Sequence, residues 1–233
     1  MDWGSSERRS ISSSRRTHSG PECWDNGLMY GFDRRELAVL RRLNTPWKLQ
    51  DYLEKLPINF EERGDTFFSP RRVLREKKAH CLEGAVFAAA ALWVNGAKPL
   101  IMTLGAAPDD FSHVVALFKV RGLWGAIGKT NHAVLRYRDP VYRSVRELAM
   151  SYFHEYLLDN GRKTLREYSE PLDLRRVGDG RWTVAEKDLW YIDEALDEQK
   201  HHLLFPSKAR RILRRADPIE RQAGKLTQWV KKR

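Results

Sequence analysis

The sequence predicts an α+β protein in which one buried helix packs on an antiparallel sheet. The chain has 233 residues, of which 42% are hydrophobic, and this is enough for one folded domain with a core. Residues 81–94 are apolar almost all round after their first turn, which is typical of a buried helix. Three short β-type runs follow this helix, and Arg121-Gly122 between the last two favours a hairpin turn.

The part of the chain before the buried helix divides into an arm and a helical region. Residues 1–20 contain seven Ser and four Arg, a composition that predicts a disordered arm. Three helix-start signals follow, each with a capping side chain before an apolar periodic run. They are Asp33 with Glu36 in a capping box, Thr45 before Pro46, and Ser69 before Pro70. The folded domain is therefore expected over residues 21–206, with a helical N-terminal part.

The sheet is expected to come directly after the buried helix. Its strands are predicted at residues 99–104, 113–120 and 123–127, with a fourth at 133–137. Ser144 and Glu147 then form a capping box, and apolar residues continue at helical spacing to Leu157. We therefore expect a helix from residue 145 to about 160, then looser strands and a last helix at 188–196.

The positive charge is concentrated in the C-terminal tail. The chain carries 42 Lys and Arg against 31 Asp and Glu, a formal charge of +11. Residues 207–233 contribute +8 and residues 1–20 contribute +2, so the domain between them is nearly neutral. Binding of nucleic acid or an acidic partner is thus expected only from the tail. Its alternating basic and apolar residues predict short amphipathic helices that dock on the domain.

Composition also excludes several classes of protein. No segment approaches the roughly 18 apolar residues of a membrane span, and the N-terminus lacks a signal-peptide pattern, so a cytoplasmic protein is expected. Cys23 and Cys81 are the only cysteines, too few for a disulfide framework or a cysteine-rich zinc module. Asp109 and Asp110 beside His113 lack further ligands at suitable spacing, so we expect no metal and no cofactor.

Cys81 is the candidate nucleophile because it begins the buried helix. Unpaired backbone N–H groups and the helix dipole stabilise a thiolate at that place, and Lys77, Lys78 and His80 lie just upstream. Gly84 in the first turn is expected to leave this helix end open to a substrate carbonyl. The alternative is that Cys81 is a small core residue, since free cysteine is among the most buried residue types.

His113 is the candidate base. It opens an apolar strand at the end nearest a loop that contains Asp109 and Asp110, from where it could face the start of the helix. A thiol and an imidazole in contact form the nucleophile and base of covalent acyl transfer. The alternative is a half-buried histidine bonded to a nearby carbonyl group.

An ordered pattern runs from the buried helix into the hairpin. It reads Cys81-x-x-x-Ala85-x-x-x-Ala89-x-x-Leu92-x-x-x-Gly96-x-x-Pro99, then His113 opening one strand, then Gly122-Leu-Trp124 opening the next. This pattern resembles the core of the transglutaminase-like superfamily, which has a papain-like α+β fold. The resemblance covers roughly residues 80–130. It implies that Cys81 is the nucleophile and His113 the general base.

The family pattern also has a third catalytic residue, an acid that orients the histidine, and here this sequence departs from the pattern. Where the family usually carries an Asp soon after the tryptophan, residues 124–128 put glycine near that place. We expect Asn131 to orient the ring of His113, because in an antiparallel hairpin the start of one strand lies opposite the end of the next. Asp139 is the second choice, although an Asp-Pro pair commonly starts a turn and neighbouring arginines can pair with it. His132 is the remaining option.

Two classes of function follow from these residues. The first is a cysteine hydrolase or acyltransferase that forms a thioester on Cys81 with a peptide or protein amide and passes the acyl group to water or to an amine. The second is a non-catalytic transglutaminase-like interaction module, in which Cys81 and His113 are idle for want of a third acid. In that case the basic tail would bind nucleic acid or an acidic partner.

Overall fold

The computed structural model describes residues 29–62 and 64–231, and it shows helices combined with an antiparallel sheet. The predictions for the arm at 1–20 and for Cys23 lie outside the described residues. The helices are α1 (Arg34–Arg42), α2 (Pro46–Lys55), α3 (Pro70–Glu76), α4 (Cys81–Val94), α5 (Val145–Met150), α6 (Trp190–Asp197) and α7 (Pro218–Lys225). The strands are β1 (Leu100–Ala106), β2 (His113–Val120), β3 (Leu123–Gly128), β4 (Arg138–Tyr142), β5 (Leu165–Ser169), β6 (Leu172–Asp173) and β7 (His201–Leu203).

The three N-terminal helices begin at the predicted caps. The Asp33 carboxylate accepts from the backbone N–H of Glu36 at 2.8 Å, and the Glu36 carboxylate accepts from that of Asp33 at 2.7 Å. Thr45 and Ser69 cap α2 and α3, each with proline at the first helical position. A cap of this kind stabilises a helix by about 0.5–2 kcal/mol. These three helices cover α4 on the side away from the sheet.

Helix α4 is buried as the sequence predicts. Every residue from Leu82 to Leu92 is buried, and the helix contacts β2 on one side and α1, α2 and α3 on the others. A helix that is apolar all round requires such a cover, because any exposed face would leave apolar surface in water. The N-terminus of α4, with Cys81, is thereby fixed against the sheet.

The sheet has the strand order β4-β3-β2-β1-β5-β7, and β6 pairs with β1. All of its pairings are antiparallel. Arg121 and Gly122 form the β2–β3 turn, both with positive φ (49° and 86°), as a hairpin turn that matches the strand twist requires. Strand β2 is buried on both faces. Val114, Ala116 and Phe118 face α4, while Val115 and Leu117 lie in a second core with α5.

Two predicted elements are wrong in their bounds. The fourth strand is Arg138–Tyr142 instead of 133–137, because the earlier segment pairs with the tail: the Ala133 N–H donates to the Leu226 carbonyl at 2.9 Å. Helix α5 ends at Met150 instead of near 160. Tyr156 is buried as its spacing predicts, but it lies beyond the helix, where its hydroxyl donates to the Phe111 carbonyl. Helical spacing here identified burial, and tertiary contacts decided the backbone path.

The tail docks on the domain, and Leu213 packs against the second core, but much of the predicted apolar surface stays exposed. Ile212 and Ile219 are 83% and 71% exposed. Other contacts are polar: the Gln228 N–H donates to the Asn131 carbonyl at 2.9 Å, and the Gln228 side chain donates to the Glu54 carbonyl at 2.9 Å. Across the described residues, no helix combines the length and apolar character needed to cross a bilayer.

Candidate active site

Cys81 is the first residue of α4, and its free thiol is partly buried. The helix cap is the preceding residue, His80, whose Nδ1 accepts from the Leu82 N–H at 3.2 Å. The other ring nitrogen of His80, Nε2, lies 2.9 Å from the Thr66 carbonyl oxygen and can donate to it. The thiol therefore sits at the positive end of the α4 dipole, beside a histidine that caps the helix and is fixed from both sides.

The structure brings His113 to Cys81. His113 begins β2, is 6% exposed, and its imidazole is hydrogen-bonded to the Cys81 thiol. The Nε2 atom of this ring is buried and has no hydrogen-bond partner among the described residues. The contact between Cys81 and His113 is the pairing of nucleophile and base that the order helix-then-strand predicts.

Two histidines together favour the thiolate form of Cys81. Burial opposes ionisation of the thiol, but hydrogen bonds to His113 and His80, and the charges of these rings, hold the pKa of Cys81 well below its usual range. Burial likewise opposes protonation of His80, yet its hydrogen bond to Cys81 and the carboxylate of Glu83 raise the pKa of His80 to about 9.

The carboxylate of Glu83 joins several segments behind the start of α4 by hydrogen bonds. This carboxylate is fully buried and accepts from the backbone N–H of His80 at 2.9 Å and of Phe68 at 3.0 Å. It also accepts from the Thr66 hydroxyl at 2.9 Å and the Asn59 amide at 3.1 Å. A buried carboxylate is tolerable only with such a set of donors. This role of Glu83 was not predicted from the sequence. The pattern that indicates it is His80-x-x-Glu83, a capping box with histidine as the cap.

Gly128, not a carboxylate, lies beside the second nitrogen of His113. The Nε2 atom is 3.2 Å from the position that a Cβ on Gly128 would occupy. The backbone of Gly128 is fixed by the buried side chain of Gln50, which donates to its carbonyl at 2.8 Å and accepts from its N–H at 3.1 Å. The end of β3 is therefore held rigidly against the histidine ring.

The structure does not join Asn131 to His113, contrary to the sequence prediction. The Asn131 amide donates to the Trp229 carbonyl at 2.9 Å, and its oxygen accepts from the Trp229 N–H at 2.8 Å. Both polar ends thus hold the tail. The reason is that the β2–β3 ladder ends at Val115 opposite Gly128, so Asn131 lies past the last paired residue, where the chain meets the tail.

The other two candidates for the third member also lie elsewhere. Asp139 is an exposed residue of β4, and β3 separates that strand from β2. His132 is exposed, and its Nδ1 lies 2.8 Å from the Gly224 carbonyl oxygen. Neither is a hydrogen-bond partner of His113.

Gly84 has a different role from the predicted one. It is buried, and a Cβ at this position would lie 2.5 Å from the Cβ of Lys129. The Lys129 ammonium group donates to the carbonyls of Leu53, at 2.9 Å, and Leu56, and its burial lowers the pKa of Lys129 to about 8. Gly84 therefore admits the Lys129 side chain between α4 and α2 and does not open the helix end to substrate.

A cavity of about 800 Å³ opens in front of Cys81. Its walls include His80, Phe111, His113, Asn131, Leu135, Glu155, Tyr156, and Arg221 and Lys225 of α7. Asp110 also lines it and accepts from the Thr164 hydroxyl, whereas Asp109 pairs with Arg162. Within residues 29–62 and 64–231, no group of three His, Cys, Asp or Glu side chains is placed to hold a metal ion.

Comparison with known proteins adds no family to this picture. No protein-family model matches the chain, and no curated protein matches it significantly. The case for a function therefore rests on the residues and geometry around Cys81.

Proposed function

We propose that the protein is a cysteine-dependent acyl transferase or amide hydrolase that works through a thioester on Cys81. The observation that carries the proposal is the Cys81 thiol, which begins α4, is hydrogen-bonded to His113 and His80, and has a lowered pKa. A thiolate stabilised in this way at the edge of a cavity is the nucleophile that acyl transfer requires.

The chemistry divides into two steps. In the first, the Cys81 sulfur attacks the carbonyl carbon of an amide, the C–N bond breaks, and the protonated His113 ring gives its proton to the leaving amine. In the second, His113 takes a proton from water or from a second amine as that group attacks the thioester, and the Cys81 thiolate leaves. Hydrolysis with water as the acceptor is the simpler outcome.

A peptide or protein amide is the substrate class that we propose. The cavity is open, about 800 Å³ in volume, and can hold a peptide segment of a few residues. Phe111 at its rim is 91% exposed, and an apolar side chain of the substrate would cover it. The papain-like, transglutaminase-like core belongs to this proposal too, supported by the order of α4, β2 and β3 with Cys81 and His113 at adjoining ends.

The test is to trap the acyl-enzyme. The protein is mixed with p-nitrophenyl acetate, quenched in acid, and searched by peptide mass spectrometry for an acetyl group on Cys81 that hydroxylamine removes. Cys23 is the matched control within the same chain, since it lacks a histidine partner in the sequence pattern. We expect acetylation at Cys81 at least about tenfold faster than at Cys23, and loss of this excess in His113→Ala.

The same experiment tests the second candidate function, that of a non-catalytic interaction module. One observation favours that module: the buried Nε2 of His113 has no partner among the described residues. Equal, slow acetylation of Cys81 and Cys23 would support it and refute the enzyme. Labelling of Cys23 alone would refute the assignment of Cys81 as nucleophile.

A further inference from the structure

A second cavity, which we call the basic pocket, lies between the start of β5 and the tail. Its volume is about 560 Å³, and it is lined by residues 106–109, 162–163, 166–167, 210 and 213–215. Six lining side chains are cationic, namely Arg162, Lys163, Arg166, Arg210, Arg214 and Arg215, against two carboxylates, Asp109 and Glu167. The cations come from two separate segments and converge on one concave surface.

The two carboxylates neutralise this charge only in part. Asp109 is paired with Arg162, and Glu167 lies 3.1 Å from Nδ1 of His201. Arg214 is paired with Asp217, outside the pocket lining. Arg166 and Arg210 have no carboxylate partner in the part of the chain that the structure describes, and the guanidinium of Arg166 donates only to the Leu165 carbonyl, at 2.9 Å.

Like charges therefore face one another across the pocket. Burial lowers the pKa of Arg166, the positive charges of Arg210 and Arg162 lower it further, and the carboxylate of Asp109 opposes this only in part. Bringing guanidinium groups together without a counter-ion costs free energy in the folded protein. A bound anion with several negative charges would remove this cost and gain charge-assisted hydrogen bonds.

We propose that the basic pocket binds a small ligand that carries two or more linked phosphates. Arginine side chains bind phosphate oxygens in pairs, and cations on two facing walls can hold neighbouring phosphates at once. The volume lies in the range of small-ligand pockets. The pocket is a different site from the Cys81 cleft, so it does not depend on the chemistry proposed there.

The shape and lining favour a small ligand over a nucleic-acid strand. A strand needs a groove that tracks its backbone and aromatic side chains on which bases stack. The apolar residues of the lining are Ala106, Ala107, Pro108 and Leu213, none of them aromatic. The cations also cluster in one cavity instead of following a stripe.

The experiment titrates the full chain with inorganic tripolyphosphate by calorimetry at 0.15 M salt, beside ATP and a single-stranded DNA oligomer. We expect saturable binding of tripolyphosphate and ATP, and at least about tenfold weaker binding in Arg210→Gln and Arg166→Gln. Arg34→Gln, on an exposed turn of α1, is the matched control and should change affinity less than twofold. Acetylation of Cys81 should be unchanged in all three variants.

A thermal melt without ligand tests whether weaker binding by a variant comes from misfolding. Because Arg210→Gln removes repulsion, its Tm without ligand should equal or exceed that of the wild type, while tripolyphosphate should raise the wild-type Tm and not the variant's. The proposal is overturned if the wild type does not bind tripolyphosphate, if Arg34→Gln weakens binding as much as Arg210→Gln does, or if only the DNA oligomer binds.

Discussion

The Nε2 atom of His113 lies 3.2 Å from the place that a Cβ on Gly128 would occupy, and the Leu135 carbonyl oxygen lies at the same distance from that place. Gly128 is thus a spacer between the ring and the backbone opposite. In an enzyme of the proposed kind a third polar group would orient the ring. Here packing against Gly128, whose backbone Gln50 fixes, holds the ring in its place.

The first prediction concerns this spacer. Gly128→Ala should displace the His113 ring, since the Leu135 carbonyl oxygen leaves the added methyl group no room on its other side, and should cost about 1–3 kcal/mol of stability. We expect alkylation of Cys81 by iodoacetamide at pH 6 to slow at least about fivefold. Gly224→Ala is the control, because its Cβ would lie 3.6 Å from Leu157, an ordinary contact. Equal alkylation rates in both variants would show that the ring is not positioned by Gly128.

The second prediction concerns the pH dependence of stability. The folded pKa of His80 is raised from its usual 6.5 to about 9, so its contribution is present below pH 6.5 and lost as pH rises through about 9. The folded pKa of Cys81 is lowered from its usual 9.0, so its contribution is present above pH 9 and lost as pH falls through the folded value. Between pH 6.5 and about 9 the two slopes cancel, and above about 9 neither group changes the stability further, so the net effect of the pair is a rise in stability from the folded pKa of Cys81 up to about pH 6.5.

The measurement is urea unfolding of wild type and Cys81→Ala under reducing conditions from pH 5 to 10. The difference in free energy of unfolding should rise from pH 5 to about 6.5 and stay level at higher pH. In His80→Asn, which keeps a capping side chain, the rise should continue toward pH 9, because the opposing slope of His80 is gone. A difference that does not vary with pH would mean that the thiolate and imidazolium are not formed together.

The third prediction separates a structural from a catalytic role of Asn131. Because both ends of its amide hold Trp229, Asn131→Ala should cost about 1–3 kcal/mol of stability and change the alkylation rate of Cys81 less than threefold. Deletion of residues 207–233 should likewise lower Tm without abolishing labelling of Cys81. Asp139→Asn, on the exposed edge strand, serves as the neutral control. If Asn131→Ala slowed alkylation tenfold or more at unchanged Tm, Asn131 would be the orienting residue after all.

The fourth prediction concerns the packing of Lys129 on α4. Gly84→Ala places a methyl group 2.5 Å from the Lys129 Cβ, so one of the two backbones must shift, at a cost of about 1–3 kcal/mol or more. The neighbouring Ala85→Gly variant should lose only about 1 kcal/mol, through helix propensity and a small lost contact. Urea unfolding measures both. A smaller loss for Gly84→Ala than for Ala85→Gly would contradict this packing.

Local chemistry in the sequence determined much of this fold. The caps at Asp33, Thr45 and Ser69 start their helices because each bond lies within three residues of its partner. Residues 81–94 are apolar all round and therefore form the buried helix, and Arg121-Gly122 closes the hairpin as predicted. From these elements alone, Cys81 and His113 were expected at adjoining ends of a helix and a strand.

Only the tertiary structure decided which other residues contact Cys81 and His113. Asn131 could bond to His113 or to the tail, and 98 residues of chain separate it from the Trp229 backbone that it holds. The sequence has no local signal for such a choice, because the free energies of the alternative hydrogen bonds are similar and only packing selects among them. The same holds for His80, which stabilises the thiolate of Cys81, and for Gly128, which positions the ring of His113. Both act through contacts that exist only once α4, β2 and β3 have packed together.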